Sequence, residues 1–241
     1  MLQARLAAYQ LLSQVFLDEP DPRWLRGLAQ SRALRAFPLA RANAEVEQGT
    51  ALAAGYLEQP ESLSEEGLDR LRWDYTRLFI GPARLPAPPW ESAYLTEERL
   101  LFAEPTLAVR RAYLQYALVP RHFPHEADDH VGLELEFMAR LAELSLERFG
   151  RSSRKRDPEA AGATAGAPYP QLLHDQQRFL REHLMRWIPR FTLDVEKAAS
   201  TDFYRGMAMV LRGSLTVDRA LLHELMDGQC AEVGRSHGTD A

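Results

Sequence analysis

Apolar residues recur every three or four positions along almost the whole chain, and no stretch of comparable length alternates as a strand would. Leu2, Leu6, Tyr9, Leu12 and Phe16 form one such stripe, and Leu68, Leu71, Tyr75, Leu78 and Phe79 form a later one. A period near 3.6 places these residues on one face of a helix, and that face is stable only when covered by another. The expected fold is therefore all-α, a compact single-domain helical bundle. No segment repeats at a fixed period, so a solenoid is not expected. The 241 residues suffice for one large domain, which we expect over residues 1–227, followed by a disordered tail over 228–241.

Local punctuation sharpens this reading. Asp21 before Pro22 has the chemistry of an N-cap and a first helical residue, and Ser62 with Glu65 has capping-box spacing, so helices are expected to begin near residues 22 and 63. The helix through Phe79 should stop at Gly81-Pro82, because glycine tolerates the left-handed position and proline cannot extend the ladder. Residues 81–92, GPARLPAPPWES, then carry four prolines that fix φ and remove donors, giving an extended, rigid loop that presents Trp90. Helical spacing resumes from Glu97 to Leu118. After Asp129 two apolar stripes, one through Val131, Leu135, Met138, Ala142, Leu146 and Phe149 and one through Leu133, Phe137, Leu141 and Leu144, mark a central helix. Residues 150–168 lack periodicity and are rich in Gly, Ala, Ser and Pro, the composition of a mobile connector before the last helices. Beyond it one helix is expected up to Pro189 and a last one from Phe203 to Leu225. Trp73 and Trp187 are assigned to the core, and Trp90 suits either a core position or a binding anchor.

Composition limits the function. With 29 basic and 34 acidic side chains the formal charge is −5, which argues against a general nucleic-acid binder and mildly for a cationic partner. A single cysteine, Cys230, excludes an internal disulfide framework and a thiolate-rich metal site within one chain. No uncharged run is long enough to span a bilayer, and the start reads as a helix, not a signal peptide, so a cytoplasmic chain without membrane insertion is expected. Phosphate loops, nucleophile elbows, zinc-protease motifs and Glu-x-x-His pairs are all missing, so no catalytic residue, metal or cofactor is assigned.

The densest polar cluster is HFPHEADDHVGLELE, His122 to Glu136, with three histidines and five carboxylates. Three readings stand open: Asp128 or Asp129 caps the following helix, the acids meet a cationic partner, or the cluster holds a metal for a helical enzyme. A rigid indole, an acid-rich turn and surplus apolar helix faces would together suit a basic and apolar peptide.

The segment DYTRLFIGPARLPAPPWESAYLTEERLLF, Asp74 to Phe102, resembles the TorD/DmsD family of cytoplasmic chaperones for molybdenum-cofactor oxidoreductases. The likeness continues through EADDHVGLELEFMARLAEL, Glu126 to Leu144, and FLREHLMRWIPRF, Phe179 to Phe191. This resemblance implies an all-helical, non-catalytic protein that binds the twin-arginine signal peptide of a molybdoenzyme precursor, holds it back from export and assists cofactor insertion. The positions matching the family's peptide-binding motifs are Pro88, Pro89, Trp90, Glu126, Asp129 and His130, with Tyr75, Phe79 and Gly81 as scaffold. Two positions depart from the pattern: Ala127 stands where proline is common and Glu91 where a small residue is common. The resemblance is compatible with a monomer or a homodimer, and with the alternative of an assembly factor that binds the folded body of a reductase. If the acids hold the leader, charge reversal at Glu126 and Asp129 should weaken binding without unfolding the protein.

Overall fold

The computed structural model describes residues 1–82, 84–96, 104–119, 127–154 and 167–236, with the backbone alone over 151–154 and 229–236. The described residues form helices and no β-strand. Helix α1 spans Leu2–Leu17 and α2 Pro22–Gln30, where Asp21 Oδ1 accepts the Trp24 N–H at 2.8 Å, the cap that the sequence predicts. Helix α3, Ala44–Leu57, is capped by Asn43, whose Oδ1 accepts from Glu45 and Val46. Helix α4 covers Glu65–Tyr75 and starts later than expected. Pro60–Leu63 form a 3₁₀ turn that buries Ser62, and Ser64 supplies the cap to the Gly67 N–H instead.

Helix α4 widens into a π-turn over Thr76–Ile80 and stops at Gly81, whose φ of 104° lies in the region that side chains avoid and whose N–H bonds to the Thr76 carbonyl at 2.9 Å. The short α5, Glu91–Leu95, begins inside what the sequence presents as a proline-rich loop, and α6 follows over Glu104–Leu114. Helix α7, Val131–Arg154, buries its two apolar stripes as far as Ala142 and Leu141, beyond which Leu144 and Leu146 are partly buried and Phe149 is 52% exposed. Expected helix at 97–103 and most of the 150–168 connector lie outside the described residues, although α7 itself runs on to Arg154. Helix α8, Tyr169–Phe179, leads through a second π-turn, Leu180–Leu184, into α9, Met185–Ala198.

Pro189 thus sits inside α9 and does not end a helix as the sequence suggests. The lost backbone bond and ring clash cost about 3 kcal/mol in a helix interior, and complete burial of Trp187, Ile188 and Phe191 on the same helix, at about 1.5–3 kcal/mol each, offsets it. The last helix, α10, extends over Asp202–Ser236, past Gly228.

The core forms where α1 packs along α7 and α3 along α10, with α9 against α10 and α8 against α7. The α3–α10 crossing is close because glycines face each other: a Cβ on Gly206 would stand 2.5 Å from the Gly49 carbonyl oxygen. At the centre Phe16, Tyr75, Phe79, Phe191 and Tyr204 stack mostly edge to face, with ring centroids 5.1–6.0 Å apart. Trp187 is fully enclosed, but Trp73 is 62% exposed, contrary to its assignment to the core. Leu68, Leu71 and Tyr75 occupy the inward face of α4, which turns Trp73 outward beneath the Arg77 guanidinium. Two buried polar ties fasten distant elements. Arg5 and Tyr9 of α1 meet Asp218 of α10, and Asp74 at the end of α4 accepts the N–H groups of Ser200 and Thr201 before α10. Among the described residues no helix is long and apolar enough to cross a membrane.

Candidate functional site

The segment entering α5 and the turn entering α7 meet in an isolated antiparallel bridge between Trp90 and His130. Glu91 N–H donates to the Asp129 carbonyl at 2.9 Å, and Val131 N–H donates to the Pro89 carbonyl at 2.8 Å. The prolines leave few donors in the loop, so these two bonds do much to set its position. Asp129 adds a side-chain bond, its Oδ2 accepting the Ser92 N–H at 2.8 Å in the first turn of α5. The His130 backbone carbonyl accepts from Leu133 and Glu134, and its Nδ1 accepts the Gly132 N–H at 3.1 Å. His130 is therefore the N-cap of α7, and Asp129 serves α5. Of the aspartates offered by the sequence as the cap of α7, neither fills that place.

Burial separates the residues. Pro89, Asp129 and His130 are buried, whereas Pro88 and Trp90 are partly exposed. The Trp90 indole stands edge-on to the His130 ring, with centroids 6.0 Å apart. Asp128, also buried, pairs with Arg110 of α6, and its carbonyl accepts from the Tyr113 hydroxyl at 2.9 Å. A cavity of about 200 Å³ adjoins this turn through Tyr113 and is walled by Leu118, Val119, Leu133 and Phe137, with Glu136 and Arg140 at its edge.

Beneath the bridge lies a second set of acids. Glu91 turns inward from α5 to His183 Nδ1 on the π-turn, 2.9 Å from its Oε2. Glu134 of α7, wholly buried, accepts the Trp187 indole N–H at 3.2 Å. Burial above all, then the neighbouring Glu91 and Asp129, holds the Glu134 carboxyl well above the ordinary carboxylate range. The same burial and the surrounding acids push the Tyr113 phenol up. Among the described residues no group of three or more His, Cys, Asp or Glu side chains is arranged to hold a metal ion.

The nitrate reductase delta subunit family matches residues 40–193, well over half of the chain. The protein named "Probable Tat proofreading chaperone DmsD" of Haemophilus influenzae is 32% identical over 163 residues, which cover 67% of this chain and 67% of that one. This chain belongs to the TorD/DmsD family. The Tat proofreading chaperone DmsD of Salmonella typhi is 31% identical over 66% of this chain and 64% of its own length, so this chain spans just under two thirds of that relative. The chaperone protein TorD of Shewanella piezotolerans aligns more fully, at 28% identity over 86% of this chain and 87% of that one.

Within this TorD/DmsD chain, the residues singled out from the sequence fall into three groups. Pro88, Pro89, Trp90, Asp129 and His130 come together at the bridge although some forty residues separate the two segments. Tyr75 and Phe79 are both buried in the aromatic core. Glu126, with His122 and His125, lies outside the described residues. Glu134 belongs to the acid-rich cluster from His122 to Glu136 that the sequence singles out, whereas His183 and Trp187 carry no site signal in the sequence. Glu91 stands out in the sequence only as a departure from the family pattern, an acid where a small residue is common. What the sequence could not show is that all four side chains share one interior.

Proposed function

We propose that this chain is a redox-enzyme maturation chaperone that binds the twin-arginine signal peptide of a molybdoenzyme precursor, holds it back from export and assists cofactor insertion. The observation that carries this reading is the Trp90–His130 bridge, which sets Pro88, Pro89 and Trp90 beside Asp129 and His130, residues of the two segments that match the family's motifs, with Pro88 and Trp90 accessible and the other three buried. Membership of the TorD/DmsD family and the Tat proofreading names of the relatives support it. An extended peptide with an apolar core gains most from a rigid aromatic anchor, and arginines gain from nearby carboxylates.

The test is titration of the purified protein with a twin-arginine leader peptide and with its double-lysine counterpart, which has the same charge. Preference for arginine that survives moderate salt is expected, because the planar guanidinium matches a carboxylate and an ammonium does not. Trp90→Ala should weaken the leader complex about thirtyfold, the equivalent of about 2 kcal/mol for a binding anchor. Equal affinity for both peptides would refute the reading. Charge reversal at Asp129 is not the clean probe that the sequence suggests, since that side chain is buried and holds α5. A second reading, recognition of a reductase's folded body, draws support from the match to the nitrate reductase delta subunit family. It predicts that a client stripped of its leader still binds.

A further inference from the structure

Where α1 turns into α2, the chain encloses a cavity of about 160 Å³. Asp18, Glu19 and Asp21, all exposed, line it together with Trp24 of α2 and Tyr204 of α10. Asp21 Oδ1 accepts the Trp24 N–H as the cap of α2, but among the described residues none of the three acids has an ion-pair partner. Helix α1 carries no basic residue in its last turn, so the negative end of its dipole adds to the same charge uncompensated. Tyr204 supplies a further oxygen. It is 1% exposed, its ring packs against Tyr75, Phe79 and Phe203, and its hydroxyl opens on the cavity with no hydrogen-bond partner among the described residues. Burial above all, then Tyr75, Asp74 and Glu19, holds this phenol well above its ordinary value, so at neutral pH it stays uncharged with a lone pair to offer. Enclosed hydroxyls are rarely left without a partner, and a bound donor would complete this one.

The arrangement selects among cations. Among the described residues no three acids converge closely enough to hold a metal ion, so these carboxylates surround a volume and not a point. A guanidinium fits such a volume: its five N–H donors point outward in a plane, its charge is spread and weakly hydrated, and its face can lie against an indole. Val15 and Phe203 give the cavity apolar wall on which a methylene stem can rest. An ammonium, by contrast, gathers three donors at one strongly hydrated point. The positive end of α10 does little against a cation here, because Asp74 already accepts the Ser200 and Thr201 N–H groups and Asp202 stands in the first turn.

We propose that this cavity is an arginine pocket, in which the guanidinium of one leader arginine bonds to Asp18, Glu19 and the Tyr204 hydroxyl and stacks on Trp24. The end of α1 that supplies Asp18 and Glu19 is also fixed to the Trp90–His130 bridge. Leu17 packs so closely on Gly132 that a Cβ there would stand 2.4 Å from Leu17 Cβ, Ser13 Oγ donates to the Gly132 carbonyl at 2.8 Å, and the Gly132 N–H donates to His130. A leader whose apolar part lies along the accessible Trp90 edge therefore finds carboxylates at the neighbouring end of α1, which the buried Asp129 cannot supply. The source of the arginine rests on the leader-binding reading, but the preference of the pocket for a guanidinium does not.

The experiment uses the whole chain and two probes: N-acetyl-arginine methylamide beside its lysine counterpart, followed through the Trp24 indole N–H resonance, and the twin-arginine leader peptide, followed by calorimetry. The arginine amide should move the Trp24 resonance and the lysine amide should not. Asp18→Asn combined with Glu19→Gln should abolish that shift and weaken the leader complex about tenfold or more, whereas Glu65→Gln with Glu66→Gln, the same change of charge at exposed acids of α4, should stay within about twofold of the wild type. Tyr204→Phe, which keeps the ring, should weaken both probes about threefold, and an unchanged affinity there would remove the hydroxyl from the site. No Trp24 shift, an equal shift with lysine, or a loss as large in the α4 pair overturns the pocket. A leader that prefers arginine yet binds the Asp18 and Glu19 double variant as tightly as the wild type also overturns it, and leaves the leader reading standing. An arginine-selective shift that the double variant abolishes, with no leader binding by the wild type, supports the pocket and refutes the leader reading.

Discussion

Alanine at Gly49 and alanine at Gly55, both in α3, should change stability in opposite directions. Either substitution removes backbone freedom from the unfolded chain and improves helix propensity by about 0.5–1 kcal/mol. At Gly55 a new Cβ meets nothing within 4 Å, so that gain stands unopposed. At Gly49 the Cβ would be placed 2.6 Å from the Gly206 carbonyl oxygen, 2.8 Å from Met209 Cβ and 2.9 Å from the Val210 nitrogen. Two of these three are backbone atoms of α10, which no rotamer change can move. The helices must part by several tenths of an ångström along one of the longest packed faces in the fold, and overpacking of this kind costs about 1–3 kcal/mol or more. We expect Gly49→Ala to lose about 2 kcal/mol net and Gly55→Ala to gain about 0.5–1 kcal/mol. For a chain of this size each kcal/mol moves the midpoint by about 2–4 °C, so thermal melts followed by circular dichroism should place the two variants on opposite sides of the wild type. Shifts in the same direction would refute the close-crossing account of α3 and α10.

Two further substitutions test the buried polar ties. Asp74→Ala strands the N–H groups of Ser200 and Thr201 and should cost about 3 kcal/mol in urea unfolding, with Asp74→Asn recovering part; a loss under about 1 kcal/mol would show that the tie contributes little. Asp218→Ala leaves Arg5 buried without its partner and should cost about 3–5 kcal/mol, whereas Arg5→Met combined with Asp218→Leu should cost less than that single change. A double variant worse than the single one would contradict a charge-desolvation origin.

Two boundaries were legible from local signals. Asp21 caps α2 because a short side-chain acceptor reaches an amide three residues ahead, and Gly81 stops the α4 ladder because its φ excludes a side chain. The same local logic misplaced the start of α4, since two serines compete there and burial of Ser62 in the turn leaves Ser64 as the cap. It also ended a helix at Pro189, where the packing of Trp187, Ile188 and Phe191 overrides the propensity of one residue. At the candidate site, residue identity and order sufficed to single out Pro88, Pro89, Trp90, Asp129 and His130, but not their exposure. Acids in a charged-looking run read as a surface, and Asp129 is interior because the bridge to α5 gives its carbonyl and carboxylate donors that water would otherwise supply.

The sequence by itself determined that this chain is helical, where helices such as α2 and α7 begin, and which family it resembles, because caps, breakers and the 3.6-residue period act over a few residues. Only the tertiary structure decided that Trp73 faces outward, that the Trp90 and His130 segments pair, and that Glu91, Glu134 and His183 share one interior. Those outcomes depend on which helix faces meet, and burial with its effect on charge is a property of the assembled core, not of any single segment.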